Sequence, residues 1–251
     1  MPPQSAVEII AHRGASYDAP ENTVAAFKLG WEQKADACEL DIRLTKDGRI
    51  VVIHDSTTRR TAKVRSRISA QTLEKLRTLD AGSWKGGNWR DERIPTLGEA
   101  FATVPDGRRL FIEIKCGPEV LPEMERVLDT FGKSTPPPVL IGFDYETMRQ
   151  ARERFPQLPI CWISSPSKWK LGKSIPPDKL IAKAVAANLS GLSLDRRFRI
   201  GASFISRVKD AGLKLFVWTV DNAKLARKLA ALGVDGITTN RPLWLREQLR
   251  K

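Results

Sequence analysis

The sequence predicts an α/β fold: a closed (β/α)8 TIM barrel with a small β-hairpin and loop insertion after the second strand. Eight short apolar runs alternate with helical patterns from end to end. The 251 residues match the roughly 250 that such a barrel needs. The runs are dense in Val, Ile, Leu and Phe, as strands covered on both faces should be. Alternation of this kind makes successive strands parallel and puts the helices outside them. A doubly wound open sheet shares the alternation but asks for a Gly-rich turn after its first strand, where His12-Arg13-Gly14 has one glycine.

In chain order, the predicted strands are Val7–Ala11, Cys38–Leu44, Leu110–Lys115, Val139–Phe143, Ile160–Ser164, Gly191–Leu194, Lys214–Thr219 and Gly236–Thr239. Between them, spacing near 3.6 residues predicts helices over Thr23–Lys34, Pro122–Phe131, Tyr145–Arg154, Asp178–Ala187, Ser203–Ala211 and Ala223–Leu232. One element breaks the rhythm. Thr45-Lys46-Asp47-Gly48-Arg49 runs straight into Ile50-Val51-Val52-Ile53, and an Asp-Gly pair between apolar runs signals a hairpin ending at His54-Asp55. Residues 56–95 then form a long excursion with one amphipathic helix, Ala70–Leu79, and a Gly- and Trp-rich stretch, Ala81–Trp89. At the C-terminal end of a barrel strand, such an excursion is expected to cover an active site. No linker or shift of composition marks a second domain, so one domain is expected over residues 1–251.

Composition narrows the function classes. Hydrophobic residues make up 41% and charged residues 28%, enough for a core without disulfide staples. Cys38, Cys116 and Cys161 are odd in number and lack CxxC spacing, so buried reduced thiols are expected. The Met1–Ser5 start has no basic-then-apolar leader pattern, and no apolar run reaches the ~20 residues of a membrane span; a soluble, cytoplasmic protein without membrane insertion is expected. The net charge of +13 admits nucleic acid, an anionic surface or a small anionic substrate. Its densest stretch, Arg59, Arg60, Lys63, Arg65 and Arg67, has no interleaved aromatics, and no nucleic-acid motif is present. A basic solubilising surface outweighs specific nucleic-acid binding; for the stretch itself, a solvated loop that steers anions towards the mouth weighs evenly against one that only solubilises.

The chemistry-bearing residues collect at strand ends. The two histidines of the chain, His12 and His54, end the first strand and the hairpin; imidazoles titrate near neutrality and suit an acid–base pair. Glu39 and Asp41 are two apart in a strand and face the same way, and Glu113 brings a third carboxylate from the next strand, with Lys115 two residues on. Three buried carboxylates are unfavourable unless something positive neutralises them. Structural ion pairs with Arg43 or Lys115 are one answer. A hard divalent cation, Mg2+ or Ca2+, is the better one, since all the ligands are oxygens. Arg13 and Lys115 suit phosphate oxygens.

These residues carry a resemblance. His12-Arg13-Gly14, Pro20-Glu21-Asn22-Thr23, Glu39-x-Asp41 and His54-Asp55 resemble the opening signature of glycerophosphodiester phosphodiesterases. It continues through Leu79–Trp84, Arg93–Leu97, Glu113-Ile114-Lys115, Val217–Val220 and Gly233–Thr239, nearly the whole chain. The resemblance implies hydrolysis of glycerophosphodiesters to glycerol 3-phosphate and an alcohol, by metal-assisted acid–base catalysis. It implies Glu39, Asp41 and Glu113 as metal ligands, His12 and His54 as the acid–base pair, and Arg13 and Lys115 on the phosphate. Phe143 and Trp218 fall where the family lines the glycerol side of its pocket; barrel packing is an equal expectation for both. The implied partner is a small glycerophosphodiester, for a monomer or homodimer. Two departures, Asn240 where Asp is expected and Gly142 where Ser is expected, are both read as lying outside the chemistry. The alternatives are a lysophospholipase D or phospholipase C-like activity on lipid diesters, and a non-catalytic binder of anionic ligands or nucleic acid.

Overall fold

The computed structural model of the protein describes residues 7–131, 136–166 and 176–250; Met1–Ser5 lies outside them. Nine strands form one sheet: β1 (Glu8–Ala11), β2 (Ala37–Leu44), β3 (Ile50–Val52), β4 (Arg109–Ile114), β5 (Val139–Gly142), β6 (Ile160–Ser164), β7 (Gly191–Asp195), β8 (Lys214–Trp218) and β9 (Gly236–Thr239). The order β1-β9-β8-β7-β6-β5-β4-β2, closed by β1 on β2, makes an eight-stranded parallel barrel. Strand β2 is the longest of the eight. Its first half pairs with β1 at Ala37 and Cys38, and its last turn of ladder, Ile42–Leu44, rises past β1 and takes antiparallel β3 in its place. The predicted hairpin is therefore an extension of the barrel wall above its rim.

Alternation along the strands sorts the side chains into two layers. Ile10, Ala37, Phe111, Val139, Ile141, Cys161, Ile163 and Phe216 fill the barrel axis. Their outward neighbours, such as Ile9, Leu40, Ile112, Leu140, Leu192 and Val217, pack against the surrounding helices. The helices are α1 (Val24–Glu32), α2 (Arg59–Ala62), α3 (Leu73–Arg77), α4 (Leu97–Phe101), α5 (Leu121–Phe131), α6 (Tyr145–Arg154), α7 (Pro177–Ala186), α8 (Ala202–Asp210), α9 (Ala223–Leu232) and α10 (Pro242–Arg250). Local chemistry sets their ends. Thr23, Asp144 and Asn222 cap α1, α6 and α9 by accepting from backbone N–H groups, and α9 stops at Gly233, which is left-handed.

The excursion differs from its prediction. The helix expected over Ala70–Leu79 is shorter, α3, preceded by a separate 3-10 turn at Ile68–Ala70. Thr72 explains the break: its hydroxyl caps Lys75 N–H, and a capping residue is extended rather than helical. The basic stretch is not all loop, since Arg59–Ala62 winds into the single turn α2. Helix α4, which the apolar spacing does not show, starts with a capping box between Thr96 and Glu99. No helix among the described residues is long and apolar enough to cross a membrane.

Candidate active site

Above the apolar plug, the last inward residue of nearly every strand lines one cavity of about 520 Å³ at the C-terminal end of the barrel. It brings together His12, Arg13, Glu39, His54, Glu113, Lys115, Phe143 and Trp218; Asp41, fully buried, sits against Arg13 and Lys115. All nine residues that the sequence singles out thus converge, from the ends of β1, β2, β4, β5 and β8 and from the hairpin.

The loop after β1 is built to face the acids. Arg13 and Gly14 are both left-handed, a strained geometry for arginine that functional loops tolerate. Gly14 also has no room for a side chain, since a Cβ there would lie 2.5 Å from the carbonyl of Ala26. This turn aims the Arg13 N–H at Glu39 Oε2 (2.9 Å) and its guanidinium Nε towards Asp41 Oδ2 (3.1 Å). Asn22, also left-handed, donates from Nδ2 to Asp41 Oδ2 at 2.7 Å. Glu21 accepts from Arg13 Nη1 at 2.7 Å.

Glu39, Asp41 and Glu113 each offer an oxygen within 4.8 Å of the others. Lys115 reaches Asp41 Oδ1 at 3.1 Å and pairs with Glu113. Burial pushes Glu39 well above the usual carboxylate range, reinforced by the charges of Asp41 and Glu113. Burial and Asp41 push Glu113 up to about 7, against the pull of Lys115. On Asp41 burial acts upward as well, but Lys115 and Arg13 outweigh it and hold the group below its usual range. Ionised together, the three acids would outnumber the Arg13 and Lys115 charges beside them, and Glu39 Oε1 is buried without a hydrogen-bond partner among the described residues. An orphaned carboxylate oxygen in an all-oxygen cluster fits a hard divalent cation. The ion-pair explanation accounts for Asp41 and Glu113 but leaves Glu39 Oε1 unexplained. Arg43 takes no part in it; it donates to the carbonyls of His54 and Lys115, bracing the two segments.

Each histidine is backed by an oxygen at Nδ1. Asp55 Oδ1 lies 2.7 Å from His54 Nδ1, and Asn240 Oδ1 lies 2.7 Å from His12 Nδ1. An acceptor there fixes the Nδ1–H tautomer in the neutral ring and leaves Nε2 as the base. Asn240 is the departure read as lying outside the chemistry, and the structure corrects this. Barrel closure sets β9 beside β1, with His12 N–H on Thr239 O at 2.8 Å, so the residue after β9 necessarily meets the residue after β1. Asp221 holds Asn240 in turn, through both its backbone N–H and its Nδ2. Gly142, the other departure, faces outward onto Met148 and stays clear of the cavity, as read. Burial and then Arg13 bring His12 down to about 4, with the Asn240 bond opposing. Burial lowers His54 too, while Asp41 and, more weakly, Asp55 push back.

The opposite wall was not legible in advance. Ser165 donates to Asp195, and Arg197 pairs with Asp195 across the rim of the cavity. Phe143 and Trp218 meet edge to face at 5.7 Å, cap the apolar plug and line the cavity at once. Glu21, Asn22 and Asp55 lay inside quoted motifs without a role. Asp221 carries no local signal, because only the pairing of β8 with β9 brings it to Asn240.

Comparison with known proteins agrees with this geometry. Residues 12–243 match the glycerophosphoryl diester phosphodiesterase family. The chain is 39% identical over 237 residues to YhdW of Bacillus subtilis (strain 168), covering 93% of this chain and 94% of that one. It is 36% identical over 253 residues to a glycerophosphodiester phosphodiesterase of Caldanaerobacter subterraneus subsp. tengcongensis, covering 97% and 98%. Among solved structures, a phosphodiesterase of Oleispira antarctica in complex with the product sn-glycerol-3-phosphate superposes with a TM-score of 0.89 at 29% identity, covering 98% of each chain.

Proposed function

Since the chain belongs to the glycerophosphoryl diester phosphodiesterase family, we infer that it hydrolyses glycerophosphodiesters to glycerol 3-phosphate and an alcohol, and propose that His12 and His54 share the proton transfers. The observation that carries the proposal is the pairing at Nδ1. Both histidines line the same cavity with Nδ1 already paired, yet one leans on a neutral amide and the other on a carboxylate.

That asymmetry supports distinct roles. His12, backed by Asn240 and pressed by burial and Arg13, is neutral at pH 7 and suits the general base. His54, backed by Asp55, has a carboxylate behind it to stabilise the imidazolium and suits the acid. His12 Nε2 takes the proton of the attacking hydroxyl, from water or from the neighbouring glycerol hydroxyl by way of a cyclic phosphate. As the new P–O bond forms, the bond to the leaving alcohol breaks, and its oxygen takes the proton of His54; on the cyclic route a water then adds to phosphorus, giving its proton up as the ring P–O bond breaks and the glycerol oxygen is reprotonated. Arg13 and Lys115, held beside the carboxylates, face the phosphate oxygens and offset the charge that grows there. Glu39, Asp41 and Glu113 would hold the divalent cation, Mg2+ or Ca2+, which when bound neutralises their excess charge and acts as a Lewis acid towards substrate oxygens. Phe143 and Trp218 pack the carbon side of the glycerol. The polar far wall, with Asp144, Ser165, Ser193 and Arg197, favours a small water-soluble diester over one carrying long acyl chains.

The test is release of glycerol 3-phosphate from a panel of glycerophosphodiesters with Mg2+ or Ca2+. His12→Ala and His54→Ala should each lower kcat by ~10²-fold or more, the usual size of acid–base contributions, with the fold intact. Near wild-type turnover in either variant would remove that histidine from the mechanism.

A further inference from the structure

We propose that Arg60 is a positioning residue that locks the two working ends of the site, His54 and Arg13, to one another. The inference rests on the roles given above to those two residues.

Arg60 belongs to the basic stretch that reads in sequence evenly as a solvated steering loop or a merely solubilising one, and the structure sets it apart from its neighbours. All five cations are exposed, but Arg59, Lys63, Arg65 and Arg67 make no ion pair among the described residues. Arg60 instead turns its guanidinium inward onto two carboxylates. Nη1 and Nη2 fork onto Glu21, at 2.6 Å to Oε2 and 2.8 Å to Oε1, while Nε donates to Asp55 Oδ2 at 2.7 Å. Both carboxylates are already committed to the site by their other contacts. Glu21 Oε1 takes Arg13 Nη1, and Asp55 Oδ1 takes His54 Nδ1, each at 2.7 Å. The result is one continuous chain, His54–Asp55–Arg60–Glu21–Arg13, running from the proton donor to the phosphate-facing cation.

The platform under Arg60 is stiff. Helix α2 is short, but Thr58 bonds Val64 O through its hydroxyl and accepts from Ser66 N–H, Thr57 bridges to Arg67, and Thr61 is buried beneath the turn. A carboxylate on a one-carbon stem beside a histidine can rotate away from it, and so can Glu21 from Arg13. A planar fork with five fixed donors stops both rotations at once. Lysine cannot, because its three donors sit on one nitrogen, whereas the contacts here use three separate guanidinium nitrogens. Charge alone is therefore not what the position requires.

That distinction makes the experiment decisive. Arg60→Lys keeps the charge, and Arg60→Gln removes it. Both should lower kcat about tenfold or more, the size expected when a supporting partner is lost and reacting groups drift, and KM should rise as Arg13 loosens. The losses should be the same at low and high ionic strength. Arg59→Gln, on the same turn and outside the chain of contacts, should leave kcat unchanged. Arg60→Gln should add little to Asp55→Asn in kcat, and little to Glu21→Gln in KM, because each pair breaks one link. Should Arg60→Gln misfold by circular dichroism, Arg60→Lys still carries the test. Wild-type kcat in Arg60→Lys, or a loss confined to low salt, would overturn the proposal and return Arg60 to the steering charges. His54→Ala in the same assay separates the two failures: if it is inactive while Arg60→Lys is normal, only the role of Arg60 falls; if it is active, the assignment of His54 falls first.

Discussion

Replacing Asn240 by Asp tests whether the residue behind His12 controls its basicity. In the native site the Nδ1 contact is to a neutral amide oxygen at 2.7 Å, and His12 lies at about 4. An ionised carboxylate at that place favours the imidazolium, and an opposite charge this near commonly moves a pKa by about 1–3 units. Asp221 trims the effect. It now receives the Asn240 amide N–H; with Asp at 240 two carboxylates would touch, and they would share a proton. A rise of His12 to about 6 is therefore a reasonable magnitude. The free-base fraction at pH 5.5 would fall from ~97% to ~24%, about fourfold in kcat/KM, with no change by pH 8. The sign is fixed: a base with a raised pKa moves the acidic limb of the profile to higher pH. Adding Asp221→Asn restores a donor, frees the full charge and should move the limb further. The assay is kcat/KM for glycerophosphocholine across pH 4.5–8, by direct chromatography of glycerol 3-phosphate, at saturating cation so that protonation of Glu113 does not intrude. Superimposable acidic limbs in wild type and Asn240→Asp, with both folded, would falsify the idea that this contact tunes the base.

Two further outcomes are expected. Chelation should abolish turnover and Mg2+ or Ca2+ should restore it, with Glu39→Gln, Asp41→Asn and Glu113→Gln each weakening the dependence on the ion; metal-free Glu39→Gln should melt at or above metal-free wild type in calorimetry, since it replaces a carboxyl whose ionisation burial and its neighbours oppose. Full activity in excess chelator, with no metal by elemental analysis, would sink the three-carboxylate site. Lys63, Arg65 and Arg67 changed together to Ser should lower kcat/KM at low salt while leaving kcat intact, and the difference should fade as the screening length drops below ~10 Å; an equal loss at every ionic strength would place one of them inside the site, and no change would leave them a solubilising surface.

Much of this was legible along the chain because it depends on period and adjacency. Short dense apolar runs predict the eight barrel strands with ends within two residues, and the two-residue period of a strand puts Glu39 with Asp41 and Glu113 with Lys115 on shared faces. Histidines at strand ends pointed to the mouth. The errors have one origin. Local spacing extended the excursion helix over Ala70–Leu79, since apolar periodicity carries no mark of the cap at Thr72. It read Arg60 as one of five equivalent cations and Asn240 as a bystander. Both residues take their meaning from partners far away in the chain: Glu21 lies 39 residues from Arg60, and His12 lies 228 residues from Asn240. Strand period specifies which face a side chain takes, and the sequence determines that alone. Which faces meet is decided only when the barrel closes and sets β9 against β1, and when α2 folds back over the loop after β1. Those juxtapositions set each histidine Nδ1 against its partner, a neutral amide for His12 and a carboxylate for His54.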